Sequence, residues 1–450
     1  MSLYTKIVST IIFPLHERLK KHDTVDIRKA LEKTQWLTAE QLKSLQLESL
    51  KHFLIDVEQH VPYYQTLFKQ IQFSPETFKS LDDLTQLPLT GKTLIREHSE
   101  QLKADNAKGL AKFNTGGSTG EPLIFYIGNK RVSHDVAAKW RATRWWGVDI
   151  GDVEAVIWGS PIELGGQDKI KLIRDKLLRT HLIPAFEMST SKVDGFIKKI
   201  QTLKPKMLFG YPSALAHIAS HAEKTGQVVD DLGIKVAFVT SERLYDYQRS
   251  KIEQVFSCPV ANGYGGRDAG FIAHECPAKN MHITAEDIIV EIVDNDGNVL
   301  PNGKAGEIVV THLATRDFPF IRYRTGDVGV LSDESCSCGR GLPLLKEIQG
   351  RTTDFIIAQD GTVLHGLALI YILRDIDGIE SFKITQNSLQ DTSIQIVKNQ
   401  HYNQQNEIKI QQEFKQRLGN SVVINIEYTE AIAKEKSGKF RYVVSHVKLD

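Results

Sequence analysis

Between Leu123 and Thr240, short apolar segments alternate with helix-like segments, and this order narrows the fold more than any other feature of the chain. "EAVIWG" (154–159) and "IKVAFVT" (234–240) have the length and apolar character of buried strands. Asn129–Trp146 and Lys192–Leu203 have the length and spacing of helices. Because helices that connect successive strands leave those strands parallel, the pattern predicts an α/β fold with mostly parallel sheets covered on both faces.

The second half of the chain changes character twice, which indicates further structural regions. "IIVEIVDNDGNVL" (288–300) alternates with period two around an Asp-Gly pair, as a hairpin of a smaller antiparallel sheet does. After Gly350, strand-like runs flank a polar helix over 404–418, which predicts a compact α+β unit of about 100 residues. A chain of 450 residues exceeds the size of one hydrophobic core. We therefore expect a large N-terminal domain over 1–350 and a small, mobile C-terminal domain over 351–450, with a hinge near 350–354.

Composition limits the partners and the compartment. Lysine and arginine (56 residues) balance aspartate and glutamate (55), which leaves a formal net charge of +1. This balance argues against a broad nucleic-acid-binding face, so we expect no nucleic-acid partner. Only four cysteines occur in 450 residues, which disfavours a disulfide-held secreted scaffold and favours a reducing cytoplasm.

The apolar stretch Ile7–Leu15 near the N-terminus is too short to cross a bilayer and lacks a cleavage site of signal-peptide type. We therefore predict no transmembrane segment. The stretch has two interpretations: an amphipathic helix packed on the body of the protein, which the sequence favours, or light attachment to a membrane surface.

A glycine-rich loop precedes the strand-like run at 123–127. Its residues, Thr115, Gly116, Gly117, Ser118, Thr119 and Gly120, present several backbone N–H groups and three hydroxyls. Glycines let the backbone approach an anion closely, and successive N–H groups form an anion-binding concavity. The loop is neither a Walker A motif nor a dinucleotide fingerprint, because no Gly-Lys-Ser/Thr follows it and it precedes a strand. By itself the loop is a weak signal, and an ordinary Gly/Ser/Thr surface turn is the favoured interpretation.

Four further segments decide between these interpretations. Together with "NTGGSTGEP" (114–122), the chain carries, in order, "NGYGGRDAG" (262–270), "YRTGDVG" (323–329), "GRTTDFI" (350–356) and "KEKSGKFR" (434–441). This series resembles the motifs of the adenylate-forming superfamily, which comprises acyl-CoA synthetases, luciferases and nonribosomal peptide adenylation domains. Five matches in the right order span most of the chain.

Three features point to one branch of that superfamily. "LPLTGKTLIREH" (87–98), "FGYPSALAHIA" (209–219) and the pair Arg267-Asp268, where most members have Thr-Glu, resemble the phenylacetate–CoA ligase group and its CapK-like capsule-biosynthesis branch. The resemblance implies a nucleotide-binding body and a mobile C-terminal domain.

The resemblance also implies a role for each motif residue. The loop 115–120 would hold the β- and γ-phosphates of ATP, and Asp268 would hold Mg²⁺, a cation that prefers oxygen ligands. Tyr264 would cover the adenine, and Asp327 would accept hydrogen bonds from the ribose hydroxyls. Other residues implied in nucleotide binding are Ser241, Glu242, Asn262, Gly263 and Gly265.

Two implied catalytic residues lie near or beyond the hinge. Arg351 would reach the ribose or a phosphate. Lys439 would bring its charge to the carboxylate and the α-phosphate in the transition state, after domain closure. Taken alone, Lys439 would be an ordinary solvated surface lysine, and Arg351 could form a surface ion pair with Asp354. Order and spacing along the chain, and not residue type, therefore carry these assignments.

The implied reaction is ATP-dependent activation of a small carboxylic acid to an acyl-adenylate, with release of pyrophosphate. Transfer to a thiol such as CoA would follow. The alternatives are an adenylyltransferase that leaves AMP on its product, an amide-forming or capsular polysaccharide-modifying ligase, and a degenerate, non-enzymatic nucleotide-binding protein. Trp158, Phe209 and Tyr211 could line an aryl-acid pocket or equally belong to the core.

Three of the four cysteines gather around two segments, "HECPAKNMH" (274–282) and "CSCG" (336–339). Three thiolates and one imidazole form the ligand set of a closed tetrahedral zinc site. The predicted ligands are Cys276, His282, Cys336 and Cys338, with His274 as the competing nitrogen ligand. Unmetallated thiols are the alternative, and a disulfide from Cys276 is disfavoured in a reducing compartment.

Overall fold

The computed structural model describes residues 2–114, 123–158, 169–185, 187–348, 355–374, 376–432 and 442–447. Its contacts divide the chain into two compact units. The first unit comprises Met1–Gly116, Leu123–Asp152 and Ala261–Gly350, and the second comprises Gly117–Pro122, Val153–Val260 and Arg351–Asp450. The predicted domain boundary near residue 350 stays a prediction.

Helices occur along most of the described chain. The α-helices are α1 (Leu3–Ile7), α2 (Phe13–Leu19), α3 (Thr24–Thr34), α4 (Ala39–His60), α5 (Pro62–Gln70), α6 (Lys92–Glu97), α7 (Asn129–Trp145), α8 (Lys169–Leu178), α9 (Thr190–Leu203), α10 (Pro212–Lys224), α11 (Asp246–Phe256), α12 (Leu367–Arg374) and α13 (Gln404–Leu418). A π-helical turn, Val8–Ile12, joins α1 to α2, and Pro75–Thr77 and Leu81–Gln86 form 3₁₀ turns.

The strands are short, as the apolar runs predict. They are β1 (Ala111–Asn114), β2 (Ile124–Ile127), β3 (Glu154–Trp158), β4 (Thr180–Pro184), β5 (Glu187–Met188), β6 (Met207–Gly210), β7 (Val236–Thr240), β8 (Val260–Gly266), β9 (Gly270–Glu275), β10 (Met281–Ile283), β11 (Ile288–Val293), β12 (Gly306–His312), β13 (Phe320–Ser332), β14 (Leu344–Ile348), β15 (Phe355–Ile357), β16 (Val363–His365), β17 (Ile379–Ser388), β18 (Asp391–Lys398), β19 (Val423–Tyr428) and β20 (Val443–Ser445).

Antiparallel pairing dominates the first unit. Its strands follow the order β11-β12-β13-β14-β10-β9-β8, and β1 pairs with β2 in a separate hairpin. The long helix α4 packs an apolar face into the core beneath. Thr38 is its N-cap, and the Thr-x-x-Gln pattern of Thr38 and Gln41 predicts the capping box that the structure contains. The Thr38 hydroxyl accepts the Gln41 N–H at 3.2 Å, and the Gln41 side chain accepts the Thr38 N–H at 3.0 Å.

The predicted hairpin around Asp296-Gly297 is present only as a tight turn. Gly297 adopts φ +90°, and its N–H donates to the Asp294 carbonyl at 3.2 Å. Beyond the turn, Val299 makes a single bridge to Val293, and β11 takes β12 as its partner strand. The alternation correctly predicts a strand of the antiparallel sheet. The partner of that strand is β12, however, which lies further along the chain than the predicted hairpin.

A parallel set of strands lies in the second unit, in the order β7-β6-β3-β4. Helices α9 and α10 pack on this sheet through a core of small and branched aliphatic side chains. Gly210 allows a close approach of neighbouring strands, because a Cβ there would lie 2.2 Å from the carbonyl oxygen of Ile157. The predicted α/β class is thereby confirmed.

The C-terminal part of the second unit forms its own core. Strands in the order β19-β18-β17-β20 pack against α12 and α13 through buried aliphatic and aromatic side chains. The two strand-like runs before the polar helix, the helix itself and the strand-like run after it are confirmed as β17, β18, α13 and β19. None of the helices in the described part of the chain is both long and apolar enough to span a bilayer.

Candidate functional site

The predicted nucleotide motif at 262–270 forms the hairpin of β8 and β9 in the first unit. Gly263 pairs with His274 and Tyr264 with Ala273, and a bulge follows between Tyr264 and Gly265. A Cβ on Gly265 would lie 2.1 Å from the Gly270 carbonyl oxygen, so the hairpin can close only with glycine there. The backbone N–H of Asn262 donates to Glu275 at 2.8 Å and fixes the start of the motif.

Tyr264 and Asp327, two predicted nucleotide-binding residues, meet directly. The Tyr264 hydroxyl donates to Oδ2 of Asp327 at 3.0 Å, although 63 residues separate them in sequence. The hydroxyl of Thr325 accepts the Asp327 N–H at 3.1 Å and donates to the Ile308 carbonyl at 2.8 Å. Gly326 between them adopts φ +75°, a conformation suited to glycine. The hydrogen bonds of Tyr264 and Thr325 therefore hold both the Asp327 carboxylate and the turn that carries it.

Asp268, the predicted magnesium ligand, lies in the turn between β8 and β9. Its Oδ2 accepts a hydrogen bond from the Tyr323 hydroxyl at 2.7 Å, and its Oδ1 accepts the Ala269 N–H at 3.1 Å. The side chain is half-buried, and the neighbouring Gly266 and Arg267 are exposed. The Tyr323 contact orients the carboxylate and leaves acceptor capacity for a cation.

A buried arginine, which the sequence analysis did not identify, donates hydrogen bonds to the turn between β8 and β9. Arg131, on α7, donates from Nη2 to the Arg267 carbonyl at 3.2 Å and from Nη1 to the Asp268 carbonyl at 3.3 Å. Its Nε donates to Asp135 at 2.8 Å, one helical turn further along. A Cβ on Gly270 would lie 2.7 Å from His312 and 3.2 Å from Arg131, so this glycine lets the hairpin pack onto the network. No local pattern distinguishes Arg131 from an ordinary helix-surface cation.

Several predicted site residues lie outside the described residues. These are the glycine-rich loop, with Thr115, Gly116, Gly117, Ser118, Thr119 and Gly120, and the two cations Arg351 and Lys439. Their assignments stay predictions.

Two further predicted residues lie in the second unit, after the carboxyl end of β7. Ser241 has φ +72°, an uncommon conformation for a non-glycine residue, and Glu242 accepts a hydrogen bond from the Ser213 hydroxyl. Ser213 is in the first turn of α10. Ligands of parallel α/β sheets bind beyond the carboxyl ends of the strands, which is where these residues lie.

The three aromatic residues considered for an acid pocket come together at the same edge of the parallel sheet. The rings of Trp158 and Tyr211 stack with centroids 4.3 Å apart and an interplanar angle of 18°. Phe209 lies 6.0 Å from Trp158. Phe209 and Tyr211 are buried, whereas Trp158 is half-buried. Two of the three residues therefore belong to the core, and the assignment of an acid pocket stays a prediction.

The four predicted zinc ligands converge in the first unit. The ligand atoms of Cys276, His282, Cys336 and Cys338 all lie within 4.8 Å of one another. Cys276 Sγ lies 3.6 Å from Cys336 Sγ, and Cys338 Sγ lies 3.3 Å from His282 Nε2. A sulfur–sulfur distance of 3.6 Å is no disulfide, and the described cysteines are all free.

The edges of a tetrahedral zinc site are about 3.5–3.8 Å for ordinary Zn–S and Zn–N bond lengths. The sulfur–sulfur distance of 3.6 Å lies within this range, and the sulfur–nitrogen distance of 3.3 Å lies slightly below it. His282 Nδ1 faces the Leu342 carbonyl at 3.2 Å, an arrangement that leaves Nε2 as the ligand atom. His274, the competing nitrogen ligand, pairs with His282 across the strands and stacks on Phe271 with centroids 5.6 Å apart. The structure therefore favours His282 over His274.

The surroundings of the cluster contain both apolar and cationic groups. Burial raises the pKa of Cys276 to about 12. Burial also acts to raise the pKa of Cys338, but hydrogen bonds, first with Arg340 and then with Cys336 and Cys276, together outweigh it and hold that pKa below its usual value. The Arg340 guanidinium lies between the rings of Trp36 and Trp145, at 4.9 and 4.5 Å from their centroids. A divalent cation would stabilise all three thiolates together.

Two family models match separate parts of the chain. A model of the AMP-binding enzymes matches residues 178–314, and a model of the CapK C-terminal domain matches residues 356–446.

Individual relatives cover more of the chain. Protein CapK of Staphylococcus aureus is 25% identical over 446 residues, which cover 96% of this chain and 94% of that protein. A phenylacetate–coenzyme A ligase of Thermus thermophilus is 29% identical over 330 residues, covering 71% and 73% of the two chains. The crystal structure of 2-hydroxyisobutyryl-CoA ligase with 2-HIB-AMP and CoA superposes with a TM-score of 0.65 at 20% identity, covering 91% of this chain and 90% of that one. This last similarity is one of fold.

Proposed function

The chain belongs to the adenylate-forming superfamily, in the branch of the phenylacetate–CoA ligases and CapK-like proteins, and from this premise we propose that it activates a carboxylic acid with ATP and transfers the acyl group to CoA. The first step would join the acid to AMP and release pyrophosphate. The second would replace AMP by a thiol.

The observation that carries the proposal is the contact between Tyr264 and Asp327. An aromatic ring and a carboxylate, joined at 3.0 Å, match the two chemical needs of an adenosine: a flat apolar face and an acceptor for ribose hydroxyls. The hydroxyl of Tyr264 occupies one carboxylate oxygen, and the turn at Gly326 limits the movement of the other. This preorganisation reduces the conformational entropy lost when the nucleotide binds.

The position of Asp268 supports the assignment of magnesium. A half-buried carboxylate whose orientation is fixed by Tyr323 offers the hard oxygen ligand that Mg²⁺ prefers. Aspartate is one methylene shorter than the glutamate common in the superfamily. When bound there, Mg²⁺ would neutralise charge on the phosphates.

Lys439 and Arg351 complete the proposed chemistry, as the family resemblance implies. Pyrophosphate departs as negative charge accumulates around the α-phosphate, and a lysine ammonium there would stabilise the transition state more than the ground state. The loop 115–120 would bind the β- and γ-phosphates through its backbone N–H groups.

The choice of CoA as acceptor rests on the relatives named phenylacetate–coenzyme A ligase. For the acid, the half-buried ring of Trp158, stacked on Tyr211, supports a substrate with a flat or apolar part. We further propose that Cys276, His282, Cys336 and Cys338 hold a structural zinc ion. Such an ion would tie the segment after β9 to the loop before β14.

ATP–pyrophosphate exchange tests the first step. A panel of aryl, fatty, amino and sugar acids is screened with wild-type protein, and at least one acid is expected to support exchange. Lys439→Ala should abolish most of that exchange, whereas Lys436→Ala, a lysine of the same segment, should retain it. Absence of exchange with every acid class, or equal rates for these two variants, would contradict the proposal.

Nucleotide binding is tested separately by calorimetry with ATP and Mg²⁺. Asp327→Ala should weaken binding at least about ten-fold, because hydrogen bonds to a charged group contribute about 1.5–3 kcal/mol. Asp333→Ala removes an exposed aspartate of the same unit and should bind ATP as the wild type does. Unchanged affinity in Asp327→Ala would remove this residue from the ribose.

The acceptor is identified once an acid is known. CoA-dependent formation of free AMP and a thioester is expected. A stable product that retains AMP in the presence of CoA would instead identify an adenylyltransferase.

A further inference from the structure

The N-terminal helical segment, defined here as residues 3–19, carries a row of exposed aliphatic side chains. It comprises α1, the π turn Val8–Ile12 and α2. The exposed residues recur at every fourth position, and they are Leu3 (76% exposed), Ile7 (39%), Ile11 (61%), Leu15 (57%) and Leu19 (76%). A contiguous exposed patch of apolar side chains commonly marks an interaction surface.

The opposite face of the segment, which is buried, is largely polar. Thr5, Ser9 and Glu17 are buried there together with Val8 and Phe13. The Thr5 hydroxyl donates to Asp152 at 2.9 Å, and a Cβ on Gly151 would lie 2.6 Å from Val8. A surface helix ordinarily turns its apolar stripe toward the core. The predicted helix is present, but it packs on the body through its polar face and presents its aliphatic face to the surroundings.

The π turn reduces the drift of the exposed row. In an α-helix, residues four apart are rotated by about 40° from one another, so a row at this spacing drifts around the helix. A π turn has more residues per turn and rotates the chain in the compensating direction. Val8–Ile12 occupies the middle of the row and therefore opposes the drift that the α-helical steps at its two ends introduce. Pi turns inside α-helices are frequent at functional sites.

The exposed charges of residues 3–21 are positive. Lys6, Arg18, Lys20 and Lys21 are exposed, whereas Glu17, the acidic residue within this range, is buried; the exposed Asp23 lies beyond its end. Glu17 accepts hydrogen bonds from the Thr24 hydroxyl and contacts His22 at 3.3 Å. The exposed face of residues 3–21 thus combines aliphatic side chains with a cationic border.

We propose that residues 3–19 bind the surface of an anionic lipid bilayer, lying parallel to it with Leu3, Ile7, Ile11, Leu15 and Leu19 inserted at the interface. An aliphatic face bordered by lysine and arginine is the combination that interfacial helices use, since the acyl chains take the apolar residues and anionic headgroups attract the cations. A second copy of the chain fits less well, because pairing two such faces would bring the eight cations of the two borders together. The attachment does not depend on the ligase activity proposed above.

Vesicle co-sedimentation of the full-length protein tests the proposal. Vesicles of phosphatidylcholine with phosphatidylserine should bind the wild type at low salt, and binding should weaken as salt rises. Pure phosphatidylcholine vesicles should bind at least about ten-fold less. Ile11→Ser/Leu15→Ser should lose binding to the mixed vesicles at least ten-fold, and Lys20→Glu/Lys21→Glu should lose it mainly at low salt.

The matched control places the same change on exposed aliphatic residues elsewhere in the first unit. Ile71 (40% exposed) and Val299 (45%) serve this purpose, and Ile71→Ser/Val299→Ser should bind vesicles as the wild type does. Because all of these positions are exposed, the variants should keep the wild-type thermal midpoint. Failure of the wild type to bind mixed vesicles would overturn the proposal, as would equal binding by the Ile11/Leu15 variant. Sedimentation equilibrium that detects a dimer which Ile11→Ser/Leu15→Ser abolishes would assign the row to a second copy instead.

Discussion

The hydroxyl of Tyr323 donates a 2.7 Å hydrogen bond to the carboxylate of Asp268, joining the interior of strand β13 to the turn between β8 and β9. Because Tyr323 is fully buried, its side chain cannot move together with the turn that carries Asp268. The orientation of the proposed magnesium ligand is therefore set by a residue 55 positions away in sequence.

Removing that hydrogen bond should weaken magnesium binding without removing a ligand. In Tyr323→Phe we expect the Mg²⁺ concentration for half-maximal ATP binding to rise about five-fold, because one hydrogen bond contributes about 1 kcal/mol. Calorimetric ATP titrations over a series of Mg²⁺ concentrations measure this. Tyr63→Phe, in α5 of the same unit, is the control for loss of a tyrosine hydroxyl, and an equal shift in both variants would argue against the orienting contact.

Arg131 should act on the same property as a positioning residue. Its guanidinium donates to the carbonyls of Arg267 and Asp268, and Arg131→Met removes both hydrogen bonds while keeping an unbranched side chain. We expect the Mg²⁺ requirement for ATP binding to rise about ten-fold, with little change in ATP affinity in the presence of a chelator.

The control for Arg131 is Arg141, a second buried arginine of α7, which pairs with Glu286. Arg141→Met should lower the thermal midpoint but leave the Mg²⁺ requirement at the wild-type value. In an Asp268→Asn background, Arg131→Met should have no further effect on that requirement. If Arg131→Met raised the Mg²⁺ requirement about ten-fold in the Asp268→Asn background as well, Arg131 would act on stability alone.

The cysteine cluster should bind zinc in the purified protein. We expect about one equivalent of zinc after a wash with a weak chelator, and less than half an equivalent in Cys338→Ala. Cys258→Ala removes the buried thiol of the second unit, whose pKa burial raises to about 12, and it should retain the metal. Elemental analysis provides the measurement. If the wild-type protein lacked zinc and yet had the same thermal midpoint as protein supplied with zinc, the cluster would be a set of free thiols.

Acid should destabilise the first unit through His312. Burial, followed by the nearby Arg131 charge, lowers the pKa of His312 to about 4, whereas the unfolded side chain titrates near 6.5. Between these values the unfolded state binds more protons, so the free energy of unfolding falls as the pH falls. At pH 5 this histidine should account for about 2 kcal/mol of the loss relative to pH 7.

Urea unfolding of wild type and His312→Gln at pH 7 and pH 5 measures this difference. Glutamine offers an acceptor for the Ala314 N–H and a donor for Asp135, as the imidazole does, but it does not titrate between pH 5 and pH 7. From pH 7 to pH 5, the free energy of unfolding of His312→Gln should therefore fall by about 2 kcal/mol less than that of the wild type. His52→Gln, at an exposed position of the same unit, is the control. An unchanged pH dependence in His312→Gln would show that its imidazole does not couple folding to protons.

Gly341 should tolerate no side chain. A Cβ at this position would lie 1.8 Å from the carbonyl oxygen of Leu37, a backbone atom just before α4. We expect Gly341→Ala to cost about 3 kcal/mol or more of the free energy of unfolding, by denaturant titration. Gly195→Ala, in the exposed interior of α9 with open space around it, should instead stabilise by about 0.5–1 kcal/mol. Similar effects of the two substitutions would contradict the close approach.

Much of the local structure could be predicted because it depends on neighbouring residues. The capping box of Thr38 and Gln41 starts α4 where the sequence predicts it, and the polar helix α13 follows its predicted range. The turn at Asp296-Gly297 was predictable for the same reason, since glycine at positive φ is a property of one position. The strand that pairs beyond this turn was not, because register depends on the whole sheet.

The sequence by itself determined which elements form, which motifs the chain carries and which cysteines and histidine are available as ligands. Only the tertiary structure decided that Tyr323 orients Asp268, that Arg131 holds the adjoining turn, and that His282 rather than His274 faces the thiols. It also decided that the N-terminal segment packs through its polar face, which the spacing of its aliphatic residues could not indicate. The reason is that helix periodicity and turn chemistry arise within a few residues, whereas these contacts join positions brought together by strand register and by the packing of distant elements.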